Sequence, residues 1–136
     1  MIAKSTPLLS LFPRLVLAYA DSYQAAMTSR FLRRLGWEVH MSTSGCESRR
    51  LTRELYPDLV VLDVNLQDES GWLTCAKLTF EHPRQAVVLV TDRVNSDDRD
   101  FARVVNARAI VSREDGAQAL FSTLLRKTNY LPAHAS

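Results

Sequence analysis

The sequence predicts a doubly wound α/β domain, a (βα)5 unit with five parallel strands between two layers of helices. Short apolar runs alternate five times with stretches of helical length. The connections between them are short, which forces parallel strands, right-handed crossovers and helices on both faces. The runs Arg14–Tyr19, Leu59–Asp63 and Ala86–Thr91 are apolar nearly throughout, as in strands covered on both sides.

The elements follow in order. Residues 1–13 read as an irregular lead-in, with a short apolar stretch broken by Pro7 and Pro13. Arg14–Tyr19 is the first strand, and Asp21 or Ser22 supplies the cap of the next helix. Met27, Phe31 and Leu35 recur every four residues as that helix's apolar stripe, and Gly36 ends it. Trp37–Ser42 alternates as a second strand, and Ser44–Leu55 forms a polar helix carrying Arg49, Arg50 and Arg53. Leu59–Asp63 is the most strand-like run and closes on a carboxylate. A polar loop from Asn65 to Gly71 leads to a third helix, Trp72–Glu81. Ala86–Thr91 is the fourth strand, Asp97–Val105 the fourth helix and Arg108–Ser112 the fifth strand. The last helix, Ala117–Lys127, carries a stripe of Ala117, Leu120, Phe121, Leu124 and Leu125. One domain therefore spans 14–127, with a C-terminal tail over 128–136.

Composition narrows the function classes. The 136 residues are 46% hydrophobic and 24% charged, enough for one core. A net charge of +2 does not argue for nucleic acid. The arginines at 30, 33, 34, 49, 50 and 53 lie on polar helix faces without interleaved surface aromatics, as in a solvated or partner-docking face. Cys46 and Cys75 fall in predicted helices without metal-ligand spacing and read as buried small hydrophobes. His40, His82 and His134 share no metal spacing. With no secretory pattern and no apolar span of membrane length, a cytoplasmic protein is expected.

In a doubly wound sheet, ligands and chemistry collect at the carboxyl ends of the strands. Here those ends hold Tyr19, Ala20, Asp21, Asp63, Thr91, Asp92 and Arg113. The run Pro57-Asp58-Leu59-Val60-Val61-Leu62-Asp63, with Gly71 shortly after it, resembles the phosphoacceptor strand and loop of response-regulator receiver domains. Thr91 stands where that family has a hydroxyl and Arg113 where it has a lysine. Asn106-Ala107-Arg108-Ala109-Ile110-Val111-Ser112-Arg113 is similar to the family's last strand. The resemblance runs from Arg14 to Lys127.

The resemblance implies a flavodoxin-like sheet in the order 2-1-3-4-5. It also implies a chemistry. Asp63 would accept a phosphoryl group from a phosphohistidine, Thr91 would donate to a phosphoryl oxygen, and a cation from the fifth strand would pair with another. Mg2+ would be held by Asp63, the Asn65 carbonyl and acids ending the first strand. Counting back from Gly36, however, those acidic positions fall on Tyr19 and Ala20, followed by Asp21. A weakened Mg2+ site is expected, with Asp21, Asp68 or Asp92 as the carboxylates left to compensate.

Three further departures mark an atypical receiver. Arg113 replaces a compact ammonium with a planar fork. Ile110 stands where an aromatic ring usually reports phosphorylation, and Gln67, where the loop commonly has Pro, is expected to loosen the segment after Asp63. Simpler readings stand beside these. Asp63 can cap a neighbouring loop, Thr91 can be an ordinary strand-end hydroxyl, and Arg113 can pair with Asp63 and hold an empty site closed.

A stand-alone receiver that signals through protein contacts is the expected function, since the sequence ends soon after the fifth helix. The expected partners are a sensor histidine kinase or histidine phosphotransfer protein, a downstream protein, and a second copy through helix 4, strand 5 and helix 5. Direct nucleic-acid and membrane contacts are not expected, and neither is enzymatic turnover. The alternative is a pseudo-receiver that binds proteins without phosphate chemistry. An aspartyl phosphatase would need an acid at Asn65, and an FMN carrier would need glycine in the loop Asp21-Ser22-Tyr23-Gln24.

Overall fold

The computed structural model describes residues 12–116, 118–120 and 122–123. Five strands, β1 (Arg14–Ala18), β2 (Glu38–Ser42), β3 (Leu59–Asp63), β4 (Val87–Thr91) and β5 (Ala109–Ser112), form one sheet in the order β2-β1-β3-β4-β5. All neighbours are parallel, with Leu17 aligned on Val61, Asp63 on Val90 and Thr91 on Ser112. Between them run α1 (Ser22–Arg34), α2 (Gly45–Leu55), α3 (Gly71–Glu81) and α4 (Ser96–Val104), each within a residue or two of its predicted bounds. A 3-10 turn, Arg113–Asp115, follows β5. No helix among the described residues is long and apolar enough to cross a membrane.

Because side chains alternate along a strand, each strand feeds two cores. Leu15, Leu17, Tyr19, Leu59, Val61, Val88 and Val90 pack beneath α1, with Ala25 and Leu32 of that helix. Val16, Ala18, Val60, Leu62, Val87 and Leu89 pack on the other face against Cys75 and Leu78 of α3 and Ala102 of α4. Double coverage explains why β3 is buried at every position. Residues 118–120 and 122–123 are helical, and Leu120 joins the core under α1. The rest of the predicted fifth helix, including Ala117, Phe121, Leu124 and Leu125, lies outside the described residues, as do 1–11 and 128–136.

Two side-chain expectations are corrected. The buried stripe of α1 is Ala25, Ser29 and Leu32, while Met27 is exposed; Phe31 and Leu35 pack only at the edge of the core. Two of the three buried residues, Ala25 and Ser29, are small and leave little hydrophobic signal in the sequence. Cys46 is exposed in the first turn of α2, whereas Cys75 is buried as expected. Burial pushes the Cys75 thiol up to about 12.

The helix ends are well capped. Asp21 Oδ1 accepts from the N–H groups of Tyr23 and Gln24, at 2.9 and 3.0 Å. Ser44 and Ser70 cap α2 and α3 through the N–H groups of Glu47 and Leu73. Asn95 and Asp98 form a reciprocal capping box on α4.

Candidate functional site

The site is built by strand parity. Tyr19 and Arg113 follow β1 and β5, and Asp63 ends β3, in the register whose side chains face α1, so all three converge at the carboxyl end of the sheet. Asp63 is the last residue of β3 and only 3% exposed. Its Oδ1 accepts the Asn65 N–H at 3.0 Å, which turns the chain sharply out of the strand. Thr91 ends β4 next to it, partly exposed and aligned with Ser112.

Arg113 reaches back over Asp63 from the turn after β5. Its Nη1 lies 3.2 Å from Asp63 Oδ2 and its Nη2 3.4 Å from Asp63 Oδ1. The other edge of the guanidinium meets Asp92, with Nε and Nη2 each 3.0 Å from Oδ1. Its carbon sits 5.8 Å from the centroid of the Tyr19 ring, within cation–π range. Burial lowers the Arg113 pKa, but Asp63 and Asp92 outweigh it and hold the guanidinium above its ordinary value. Tyr19 is driven up by burial, against the hydroxyl of Thr28 and the charge of Arg113 and with the charge of Asp63. The site therefore presents a neutral phenol, a fixed cation and two carboxylates.

The remaining acids are committed elsewhere. Asp21 caps α1 with the carboxylate proposed for a metal. Asp68 accepts from the N–H groups of Gly45 and Cys46 at the start of α2, at 2.7 and 2.9 Å. Glu69 takes Thr74 Oγ1 at 2.7 Å, Lys77 Nζ at 3.1 Å and Arg49 Nε at 3.2 Å. Together Asp68 and Glu69 staple the loop after Asp63 to α2 and α3. The looseness expected from Gln67 is thus offset by ion pairs formed across two helices. Among the described residues, no group of three His, Cys, Asp or Glu side chains is placed to hold a metal ion.

The fold has counterparts among known proteins. The model of the response regulator receiver domain matches residues 19–125. The chain belongs to the response-regulator receiver family. It is 39% identical over 75 residues to the probable transcriptional regulatory protein TcrX of Mycobacterium tuberculosis, covering 55% of this chain and 32% of that protein. It is 30% identical over 99 residues to the transcriptional regulatory protein CreB of Escherichia coli, covering 71% of this chain and 43% of that protein. The chain therefore spans well under half the length of these relatives. A CheY-like receiver domain from Methanospirillum hungatei superposes with a TM-score of 0.80 at 19% identity, over 87% of this chain and 94% of that one. A LuxR-family DNA-binding response regulator from Staphylococcus aureus gives 0.80 at 21%, over 87% and 100%. Both share the fold.

Receiver domains in general bind Mg2+ beside the phosphorylated aspartate. The donor set of this chain does not fit that ion. Mg2+ asks for carboxylate and water oxygens in octahedral geometry. Tyr19 is a buried neutral phenol, Ala20 has no donor, Asp21 faces its own helix, and both Asp63 oxygens already meet Arg113. Ile110 packs partly buried against the α3–α4 core and offers no ring to rotate. The bridging role of Asp92 and the loop staples were missed by sequence reasoning. Arg113, Arg49 and the start of α2 lie about twenty residues from these carboxylates in the chain and meet them only once the crossovers are formed.

Proposed function

We propose that this chain is a two-component receiver module in which Asp63 is the position of phosphoryl acceptance and protein contacts carry the output. The carrying observation is Asp63 at the end of β3, beside Thr91 and beneath Arg113. In this reading a phosphohistidine on a sensor kinase or phosphotransfer protein donates the phosphoryl group. Thr91 and Arg113 then stabilise its oxygens. The domain is not a turnover enzyme and works in the cytoplasm. Direct nucleic-acid contact is not part of this reading; the α2 arginines have acidic partners within the chain, Arg49 with Glu69, Arg50 with Glu47 and Glu54, and Arg53 with Glu81. A DNA-binding output like those named for its relatives would belong to a longer protein. The exposed Phe101 and Val104 on α4 suit a second copy or a downstream protein.

Intact mass after incubation with a small phosphodonor, beside an Asp63→Asn control, tests the acceptor role. A gain of one phosphoryl group in the wild type alone supports it. A second reading, a pseudo-receiver that binds partners without phosphate, is favoured by the fork of Arg113 across both Asp63 oxygens. It is supported if no gain occurs even with a purified kinase while partner binding persists in Asp63→Asn.

A further inference from the structure

We infer that the Arg113 guanidinium, laid against the Tyr19 ring and forked between Asp63 and Asp92, is the resident cation of this site and holds the place of a divalent ion. The inference rests on reading Asp63 as the receiver position, and it concerns how that position is held before any phosphoryl group arrives.

Three observations carry it. The cation is anchored on both edges: Nη1 and Nη2 meet Asp63 while Nε and Nη2 meet Asp92. Arg113 thus bridges two carboxylates as a metal ion would, with planar rather than octahedral geometry. Its flat face is braced by Tyr19, which occupies one of the positions where a metal-binding acid would stand. A carboxylate there would draw in a second cation; a buried ring instead supports the one already present. Finally, Asp63 and Arg113 are 5% and 17% exposed at their side chains, so solvent screens their pairing little.

These features have a common electrostatic consequence. Two carboxylates and one guanidinium sum to a single negative charge. An incoming Mg2+ must displace a fixed cation or bind beside it against its repulsion. The substitutions at positions 19 and 113 then make sense as a pair: losing the acid removes the metal, and the larger cation with an aromatic brace supplies the missing charge.

Thermal melting of the full chain tests this without phosphate chemistry. Wild type, Arg113→Ala and Arg113→Gln are melted in chelator and in millimolar Mg2+, with NaCl matching the ionic strength. The wild type should melt at the same temperature in both. Arg113→Ala should melt roughly ten degrees lower in chelator, because a buried carboxylate loses its partner. Mg2+ should restore a saturable part of that loss, since the vacated carboxylates can then take an ion. Arg113→Gln fills the space without the charge and should behave alike, which keeps the test open if the alanine variant does not fold. A saturable Mg2+ stabilisation of the wild type overturns the inference. So does a destabilised variant that Mg2+ fails to restore, which would make Arg113 a structural pair only. Phosphoryl gain by mass is a separate readout, so failure of the Asp63 reading and failure of this inference are told apart.

Discussion

Gly71 lies directly against the backbone of Asp63. A Cβ at position 71 would overlap the Asp63 carbonyl oxygen and stand 2.7 Å from Val64 Cα. The Gly71 N–H donates to the Val64 carbonyl at 2.9 Å, so α3 begins in hydrogen-bond contact with the residue that follows Asp63 out of β3. Glycine at this place in the motif is thus a matter of close approach between two backbones rather than of turn conformation.

Gly71→Ala should therefore push α3 away from β3. A well-packed site forced to accept an extra carbon loses about 1–3 kcal/mol, and here the obstacle is backbone that cannot rotate aside. Urea unfolding should show a lower midpoint, with the loss at or above the top of that range. A midpoint equal to wild type would mean that the two elements are less tightly joined than their geometry indicates.

Neutralising Asp63 should lower stability. In a site crowded with acids, removing one carboxylate relieves repulsion. Here the carboxylate is paired with Arg113 and accepts the Asn65 N–H. Asp63→Asn keeps the shape but replaces charge-assisted hydrogen bonds with neutral ones, a loss of about 1–2 kcal/mol. Thermal melting in chelator decides the sign. A rise in melting temperature would mean that repulsion with Asp92 dominates the attraction to Arg113.

The architecture was legible in the sequence because it depends on pattern. Five apolar runs in alternation with helical stretches determine parallel strands, and strand parity then brings Asp63 and Arg113 together. What could not be read depends on which residues meet across the crossovers. Asp92 stands 3.0 Å from Arg113, and Glu69 3.2 Å from Arg49, although about twenty residues separate each pair. Nothing in either neighbourhood marks the pairing before the sheet forms. The face of α1 was misassigned for a different reason. Met27 carries a strong hydrophobic signal but sits outside, while Ala25 and Ser29 go inside with Leu32 and carry little such signal. Tyr19 reads as part of a strand, and its role beneath a guanidinium emerges only from three strands meeting at one end.

The staple of the loop after Asp63 should make stability fall in acid. Burial raises the Glu69 pKa, but Thr74, Arg49 and Lys77 outweigh it and hold the carboxylate below its ordinary value. Burial likewise opposes, and the N–H groups of Cys46 and Gly45 prevail in, the lowering of Asp68. A carboxylate with a depressed folded pKa contributes stability that is fully present above its unfolded value, roughly 4, and is lost as pH falls through the folded value. The midpoint of urea unfolding should therefore drop below pH 4, and Glu69→Gln should flatten part of that slope while lowering stability at neutral pH. An unchanged slope in the variant would mean that other carboxylates govern the acid response.

The two cysteines should differ sharply in reactivity. Cys46 is exposed in the first turn of α2, with its N–H donating to Asp68 at 2.9 Å. Cys75 is fully buried between β-sheet and α4, its thiol directed at the Val105 carbonyl at 3.4 Å. Burial pushes that thiol up to about 12, so at neutral pH almost no thiolate forms there. A thiol reagent added to the native protein near pH 8 should modify one group quickly, and Cys46→Ser should abolish that phase. The second thiol should react only as the chain unfolds, so its slow rate should rise with urea along the unfolding curve. Two fast equivalents in the native protein would show that α3 opens from the sheet far more readily than its core position allows.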